Sequence, residues 1–209
     1  MNLPQLLTPH ALQRGRVLAG TLLAALALAA LPAASAWIAG RAAPPPADDV
    51  CLVAPPSPYD PASGLAPTAA RPVPADARCP VCGMFPARAP DWAAQVIFAN
   101  GDAQFFDSPL SLFMYLADVG RYSPGRSRGD IVASYVTDIP GKAWTDAASA
   151  YYVHGSTARG PMRAGNLPAF ASEQAARRFA AQRGGAVLGY GDIDATLIGQ
   201  LAVPHGHGH

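Results

Sequence analysis

Two cysteines and a methionine fall within one short segment, Cys79-Pro80-Val81-Cys82-Gly83-Met84. Thiolate and thioether sulfurs are soft donors, and together they favour Cu(I) over harder divalent ions. We expect residues 82–84 to be extended, so that the side chains of Cys82 and Met84 point to the same side of the backbone. Gly83 leaves the position between them without bulk. The spacing therefore indicates a copper site that the backbone of a partner can approach.

Other interpretations of the same segment stay open. Cys79 and Cys82 have the spacing of a redox pair or a structural disulfide, which an exported compartment permits. A thioredoxin-like pair should open a helix, however, whereas Pro86 and Pro90 follow here. A closed zinc site needs four ligands, and the chain has no second cysteine pair. A sensor or structural domain that retains its copper is a further alternative.

Further candidate ligands lie elsewhere in the chain. Met162, in a Gly-Pro-Met loop, has no obvious packing role, whereas Met114 falls inside a predicted helix and is assigned to the core. His154 lies beside a glycine at a predicted strand end and is interpreted as a surface or hydrogen-bonded residue. Residues 204–209 alternate His with Gly, a tail whose imidazoles suit Cu(II) better than Cu(I). Cys51 lies in a Pro-rich segment and is interpreted as an incidental thiol.

Composition argues against several functional classes. The chain has 209 residues and a formal net charge of +1, and Lys142 is its only lysine. Because no stretch concentrates positive charge to neutralise phosphates, nucleic acid is not an expected partner. No general base, nucleophile–histidine pair or carboxylate pair is evident in the sequence, so we do not expect an enzyme.

The N-terminal residues carry the pattern of an export signal. Arg14 and Arg16 precede a stretch without charge at 17–40, which contains the small-residue motif Ala34-Ser35-Ala36. A signal peptide cleaved after this motif has these three parts. An uncleaved membrane anchor is the alternative, since about 20 apolar residues span a bilayer. In both cases we expect the rest of the chain to be periplasmic.

The remaining chain predicts an α+β fold. Residues 41–78 are rich in Pro and Ala and are predicted to be a linker, with order beginning near Arg78. Residues 79–137 and 138–203 are predicted to form two similar small units, each with a few antiparallel strands and one helix. The predicted strands cover 92–99, 103–106, 131–136, 150–153 and 186–188, and helices are predicted to follow Ser108 and Ser172.

A short internal repeat supports the two similar units. Phe106-Asp107-Ser108 recurs as Phe170-Ala171-Ser172. Each serine is expected to cap a helix, and these helices are expected to end at Gly120 and Gly184. Asn100-Gly101 is predicted to close a hairpin between the first two strands, because both residues tolerate positive φ.

Several motifs occur in one order along residues 79–190. They are Cys82-Gly83-Met84, Phe106-Asp107-Ser108-Pro109, Trp144-Thr145-Asp146-Ala147, Ala150-Tyr151-Tyr152-Val153, Gly155-Ser156, Gly160-Pro161-Met162, Phe170-Ala171-Ser172 and Gly184-Gly185. In this order they resemble the NosL family of nitrous oxide reductase accessory proteins. The resemblance implies two small α+β units and an exported Cu(I) chaperone. Such a chaperone supplies the copper sites of nitrous oxide reductase through a membrane maturation complex that includes an ABC transporter.

The resemblance also implies particular site residues. Cys82 and Met84 match the copper ligands of the family, and Met162 matches a methionine that completes the site. Trp144 and Asp107 fit the family pattern and are interpreted as packing and capping residues. Two departures stand out. The residues before the linker cysteine lack the processing signal of the many lipoproteins in the family, and an arginine at position 163 stands where glycine is frequent.

Overall fold

The computed structural model describes residues 54–162 and 167–202. The predicted signal or anchor, Cys51, the arginine at position 163 and the histidine tail lie outside the described residues. Within the two described ranges, no helix is both long enough and apolar enough to cross a membrane.

The first sheet has four antiparallel strands. β1 (Ala94–Phe98) and β2 (Ala103–Phe106) form a hairpin, and Gly101 in its turn has a φ of 87°, which favours glycine. β3 (Ile131–Thr137) pairs with the other side of β1, and β4 (Trp144–Asp146) pairs with β3, so the order is β2-β1-β3-β4. The three predicted strands and the hairpin are confirmed, and β4 is an addition to them.

The second sheet repeats the arrangement of the first. β5 (Tyr151–His154) lies between β6 (Ala169–Phe170) and β7 (Ala186–Gly189), and both neighbours are antiparallel to it. In each sheet, the earliest strand is central and pairs with the strand before the helix and the strand after it. This shared order confirms the prediction of an α+β fold with two similar units.

The serine-capped helices are also confirmed. α1 (Pro109–Ala117) begins after Ser108, whose side chain accepts a hydrogen bond from the backbone N–H of Ser111. The predicted end at Gly120 is wrong, because α1 ends at Ala117 and that glycine lies inside a short second helix, α2 (Val119–Tyr122). Its start is set by Asp118, whose carboxylate accepts a hydrogen bond from a backbone N–H of α2 and so begins a new helix there.

The later helices lie around the second sheet. α3 (Glu173–Arg183) is capped by Ser172 and ends before Gly184, as predicted. α3 buries only Ala176 fully, as a surface helix does. A further helix, α4 (Ala195–Ala202), was not predicted; it follows β7 and packs its Leu201 into the main core.

α1 joins the two sheets through one core. All of its residues except Met114 and Ala117 are buried. The ring of Tyr115 packs on Phe106 of the first sheet at 4.9 Å, and the ring of Phe113 meets Tyr152 of the second sheet edge-on at 5.1 Å. Because one helix contacts both sheets, the two units share a core and hold the start of α1 in a fixed position.

The Pro-rich segment before the first cysteine is not a free linker throughout. Ser57 and Ala103 exchange two backbone hydrogen bonds of 2.8 and 2.9 Å, which places the segment beside β2. Gln95 is fully buried, and its side-chain amide bonds both the N–H and the C=O of Arg71 at 3.1 and 3.0 Å. The expectation that order begins near Arg78 is therefore wrong. An extended proline-rich backbone has free N–H and C=O groups, and the first sheet supplies partners for some of them.

Candidate metal centre

The two cysteines and Met84 belong to a tight turn. The N–H of Gly83 donates to the C=O of Cys79 at 2.8 Å, and the N–H of Cys79 donates to the C=O of Met84, also at 2.8 Å. Gly83 has a φ of 73°, in the left-handed region that favours glycine. The predicted extended backbone at 82–84 is therefore wrong. The chain turns back on itself at Gly83, and this reversal brings the two cysteines together.

Three donor side chains converge inside this turn. The sulfurs of Cys79 and Cys82 and a carboxylate oxygen of Asp107 all lie within 4.8 Å of one another. The thiol of Cys82 donates a hydrogen bond to Oδ1 of Asp107 at 3.1 Å. Both cysteines are free thiols; Cys79 and Asp107 are fully buried, and Cys82 is half-buried. We call these three residues the thiol–carboxylate cluster.

Asp107 is the residue of this cluster whose role differs from the one predicted. It follows β2 directly, and Ser108, not Asp107, caps α1, so the interpretation of Asp107 as a capping residue is wrong. Its Oδ2 atom is buried and has no hydrogen-bond partner in the part of the chain that the structure describes. A buried oxygen without a partner costs about 1–3 kcal/mol unless a proton, a water molecule or a ligand satisfies it. The cluster therefore has the character of a binding site.

The surroundings of Cys82 keep its sulfur protonated. A hydrogen bond with the Cys79 thiol, burial, and the charges of Cys79 and Asp107 raise the pKa of Cys82 far above its ordinary value. The backbone N–H of Met84 lowers the pKa, but by less. A metal ion that binds this sulfur must therefore displace a proton at neutral pH.

The two predicted methionine ligands lie on different segments around this turn. Met84 is 37% exposed and directly follows the turn. Met162 is half-buried, and its thioether sulfur is 3.8 Å from the hydroxyl of Ser111, in the first turn of α1. Ser111 bonds the cap residue Ser108, which follows Asp107. The structure thus brings Met162 to the helix end that follows Asp107 of the cluster.

The other sequence candidates are placed away from the cluster. His154 ends β5 in the second sheet and does not belong to the thiol–carboxylate cluster. Met114 lies on α1 and packs against the main core, in agreement with its assignment to the core. Trp144 begins β4 and pairs with Thr137 of the first sheet.

Sequence comparison connects this site to known proteins. A family model described as NosL matches residues 70–198. The copper-binding lipoprotein NosL of Stutzerimonas stutzeri is 32% identical to this chain over 140 residues, which cover 63% of this chain and 70% of the relative.

Comparison with solved structures agrees on the fold. The crystal structure of the copper chaperone NosL from Shewanella denitrificans matches with a TM-score of 0.53 at 20% identity, covering 63% of this chain and 99% of the other. The solution structure of the apo-NosL protein from Achromobacter cycloclastes, at 28% identity, matches with a TM-score of 0.37 over 56% of this chain and 94% of its own. The family match spans well over half of the sequence and includes the whole thiol–carboxylate cluster. This chain belongs to the NosL family.

Proposed function

We propose that this chain is a copper carrier that binds one Cu(I) ion through Cys82 and Met84, with Met162 as a third ligand. The observation that carries the proposal is the thiol–carboxylate cluster, in which the Cys82 thiol is held beside a second thiol and a buried carboxylate with an unpartnered oxygen. The names of two relatives, a copper-binding lipoprotein and a copper chaperone, support copper as the cargo.

The donor atoms at this site suit a soft metal ion. Thiolate and thioether sulfurs stabilise Cu(I), whereas the carboxylate of Asp107 is a hard donor that Cu(I) does not favour. Asp107 instead holds the Cys82 sulfur through the 3.1 Å hydrogen bond before copper arrives. Groups that orient a metal ligand in this way commonly contribute 10–100-fold to metal affinity, as an order of magnitude.

Exposure decreases from one side of the turn to the other. Cys79 is fully buried, Cys82 is half-buried, and Met84 is 37% exposed. An incoming ligand from another protein therefore meets Met84 first and reaches Cys82 from the same open side. Such a gradient favours transfer by ligand exchange, because a partner can replace the exposed thioether while the buried side of the turn still holds its shape.

The acceptor that we propose is nitrous oxide reductase, reached through a membrane maturation complex of the ABC transporter type. The chain acts in this process as a carrier in the periplasm, either free or tethered to the inner membrane by its N-terminal residues. We assign it no reaction of its own. The proposal rests on the membership of the NosL family, together with the export pattern in the sequence.

A copper titration tests the binding step. The full-length chain, kept fully reduced and free of oxygen, is titrated with Cu(I) in the presence of a coloured competing chelator. We expect one equivalent to bind, and we expect substitution of Cys82 or Met84 to weaken binding. The loaded chain is then mixed with copper-free nitrous oxide reductase, and the copper content of the two separated proteins is measured. Copper that stays with the chain would contradict a carrier and would favour a sensor or a structural metal domain.

A thiol–disulfide oxidoreductase is the second candidate, because the sulfurs of Cys79 and Cys82 lie within 4.8 Å of each other. The two functions depend on different residues. Thiol exchange requires both cysteines and no methionine, whereas the copper site requires Met84. If Met84→Ala leaves copper affinity unchanged while Cys79→Ala abolishes exchange with a small disulfide, the oxidoreductase is the better account.

A further inference from the structure

Two arginines flank the exposed end of the copper turn. The guanidinium carbon of Arg78 lies 4.1 Å from the centroid of the Phe85 ring, and that of Arg88 lies 4.5 Å from the same centroid. Arg78 also donates a hydrogen bond to the C=O of Gly83 at 3.3 Å. Phe85 directly follows Met84, so both cations are fixed next to the most exposed predicted ligand. We call Arg78, Phe85 and Arg88 the arginine pair.

No carboxylate neutralises this pair in the described part of the chain. The ion pairs there join Arg126 to Asp102, Lys142 to Asp91, and Arg177 to Glu173. Asp76, two residues before Arg78, forms no ion pair with it. Both arginines are exposed.

Stacking on an aromatic ring leaves most guanidinium N–H groups available. The stacked guanidinium keeps its donors at the edge of its plane, where they match the two oxygens of a carboxylate. Two like charges held side by side also repel each other, and an anionic partner relieves that repulsion. The arrangement therefore suits the recognition of carboxylates beside the copper site.

We propose that the arginine pair is the docking surface for the protein that accepts copper, and that this acceptor carries aspartate or glutamate side chains around its copper-accepting ligands. This inference rests on the proposed function, because it assigns a partner surface to the copper site described above. Charge complementarity of this kind increases the rate of encounter more than the final affinity, and it weakens as salt is added.

A protein acceptor fits the position of the pair better than a membrane does. The two cations lie beside Met84, at the side of the turn where an incoming ligand must reach the metal. A lipid surface docked there would cover that approach and would offer no sulfur or imidazole to receive copper. Anionic lipid is accordingly an outcome to be tested against.

Two synthetic acceptor peptides provide the test. Both contain the same pair of methionines as the copper-accepting site, flanked by aspartates in one peptide and by lysines in the other. The full-length chain is loaded with Cu(I), and the rate of transfer to each peptide is measured by rapid mixing at low and high salt. We expect the acidic peptide to be loaded about tenfold faster at low salt, and we expect the difference to shrink at high salt.

Variants with equal changes of net charge assign the effect to these residues. Arg78→Gln with Arg88→Gln should remove the preference for the acidic peptide while Cu(I) affinity stays within about twofold. Arg178→Gln with Arg183→Gln, on the exposed surface of α3, is the matched control and should keep the preference. Lysine at positions 78 and 88 should restore most of it, since lysine retains the charge.

Three outcomes would overturn the inference. One is equal transfer to the two peptides by the unmodified chain, and another is a preference that survives the glutamine pair. The third is binding to phosphatidylglycerol vesicles that the glutamine pair abolishes while transfer stays unchanged, which would assign the pair to a membrane. Loss of Cu(I) binding by the unmodified chain would instead refute the proposed function, and the titration separates that result from the three above.

Discussion

Substitution of Met84 by leucine isolates the contribution of its thioether sulfur. Leucine has nearly the volume of methionine and keeps the apolar character of the side chain, but it offers no ligand atom. Met84 is 37% exposed, so little packing depends on it, and the free energy of unfolding should change by less than about 1 kcal/mol. Any large loss of copper binding then reports on ligation and not on the fold.

The expected loss of affinity follows from the small number of soft ligands. Changes in groups that merely orient a metal ligand cost about 10–100-fold in affinity, and removing a direct ligand should reach the upper end of that range. We therefore expect Met84→Leu to weaken Cu(I) binding by about 100-fold, or about 2.8 kcal/mol. The assay is competition with a Cu(I) chelator, with urea unfolding of the metal-free protein measured in parallel.

Met114→Leu is the matched control for this experiment. Met114 lies on α1 and packs against the main core, so the same substitution there removes a thioether without touching the copper turn. Its Cu(I) affinity should equal that of the unmodified chain. An unchanged affinity in Met84→Leu, or an equal loss in both variants, would refute the reasoning that Met84 is a ligand.

Three further predictions concern the thiols and the fold. Cys82→Ser should abolish tight Cu(I) binding, whereas Cys79→Ser should reduce it less; equal losses in the same titration would make Cys79 a ligand as well. Because the pKa of Cys82 is raised, copper displaces a proton, and the apparent affinity measured at several pH values should rise about tenfold per pH unit. An affinity that does not depend on pH between 6 and 8 would contradict thiolate ligation. Gly185→Ala should destabilise the fold by about 2 kcal/mol or more in urea unfolding, because its φ is 100° and a Cβ would lie 2.5 Å from the C=O of His154. Gly184→Ala has open space and should cost only about 1 kcal/mol, so equal losses would contradict the contact with β5.

The elements that could be predicted from sequence have strong local signals. The hairpin between β1 and β2 follows from two apolar runs around Asn100-Gly101, and both main helices follow from a serine cap. β4 and β6 have three and two residues, too few for a period to be visible. Their place is set by pairing with distant strands.

The Pro-rich segment shows a different kind of limit. Its composition correctly indicates an extended backbone without helix or long strand. It does not show that a buried glutamine in β1 bonds both backbone groups of Arg71 and so fixes the segment on the first sheet. Composition predicts local conformation, and the tertiary partner decides whether the segment is held.

The candidate site was predictable in its residue types and not in its geometry. Cys82 and Met84 were selected because soft donors are scarce in this chain. The turn at Gly83 was missed, since a glycine between two ligands fits both an extended segment and a left-handed turn. Asp107 joins the cluster from 25 residues away, at the end of β2, and only the pairing of β1 with β2 and the packing of α1 bring it there. A buried carboxylate beside a thiol is a tertiary feature with no local signature.

X-ray absorption at the copper edge tests the central claim most directly. The full-length chain is loaded with one equivalent of Cu(I) under reducing conditions, and the spectrum is compared with that of Met84→Leu. We predict a cuprous ion in a first shell dominated by sulfur, with fewer sulfur neighbours in the variant. A first shell of nitrogen or oxygen alone, or identical spectra for the two proteins, would contradict ligation by Cys82 and Met84.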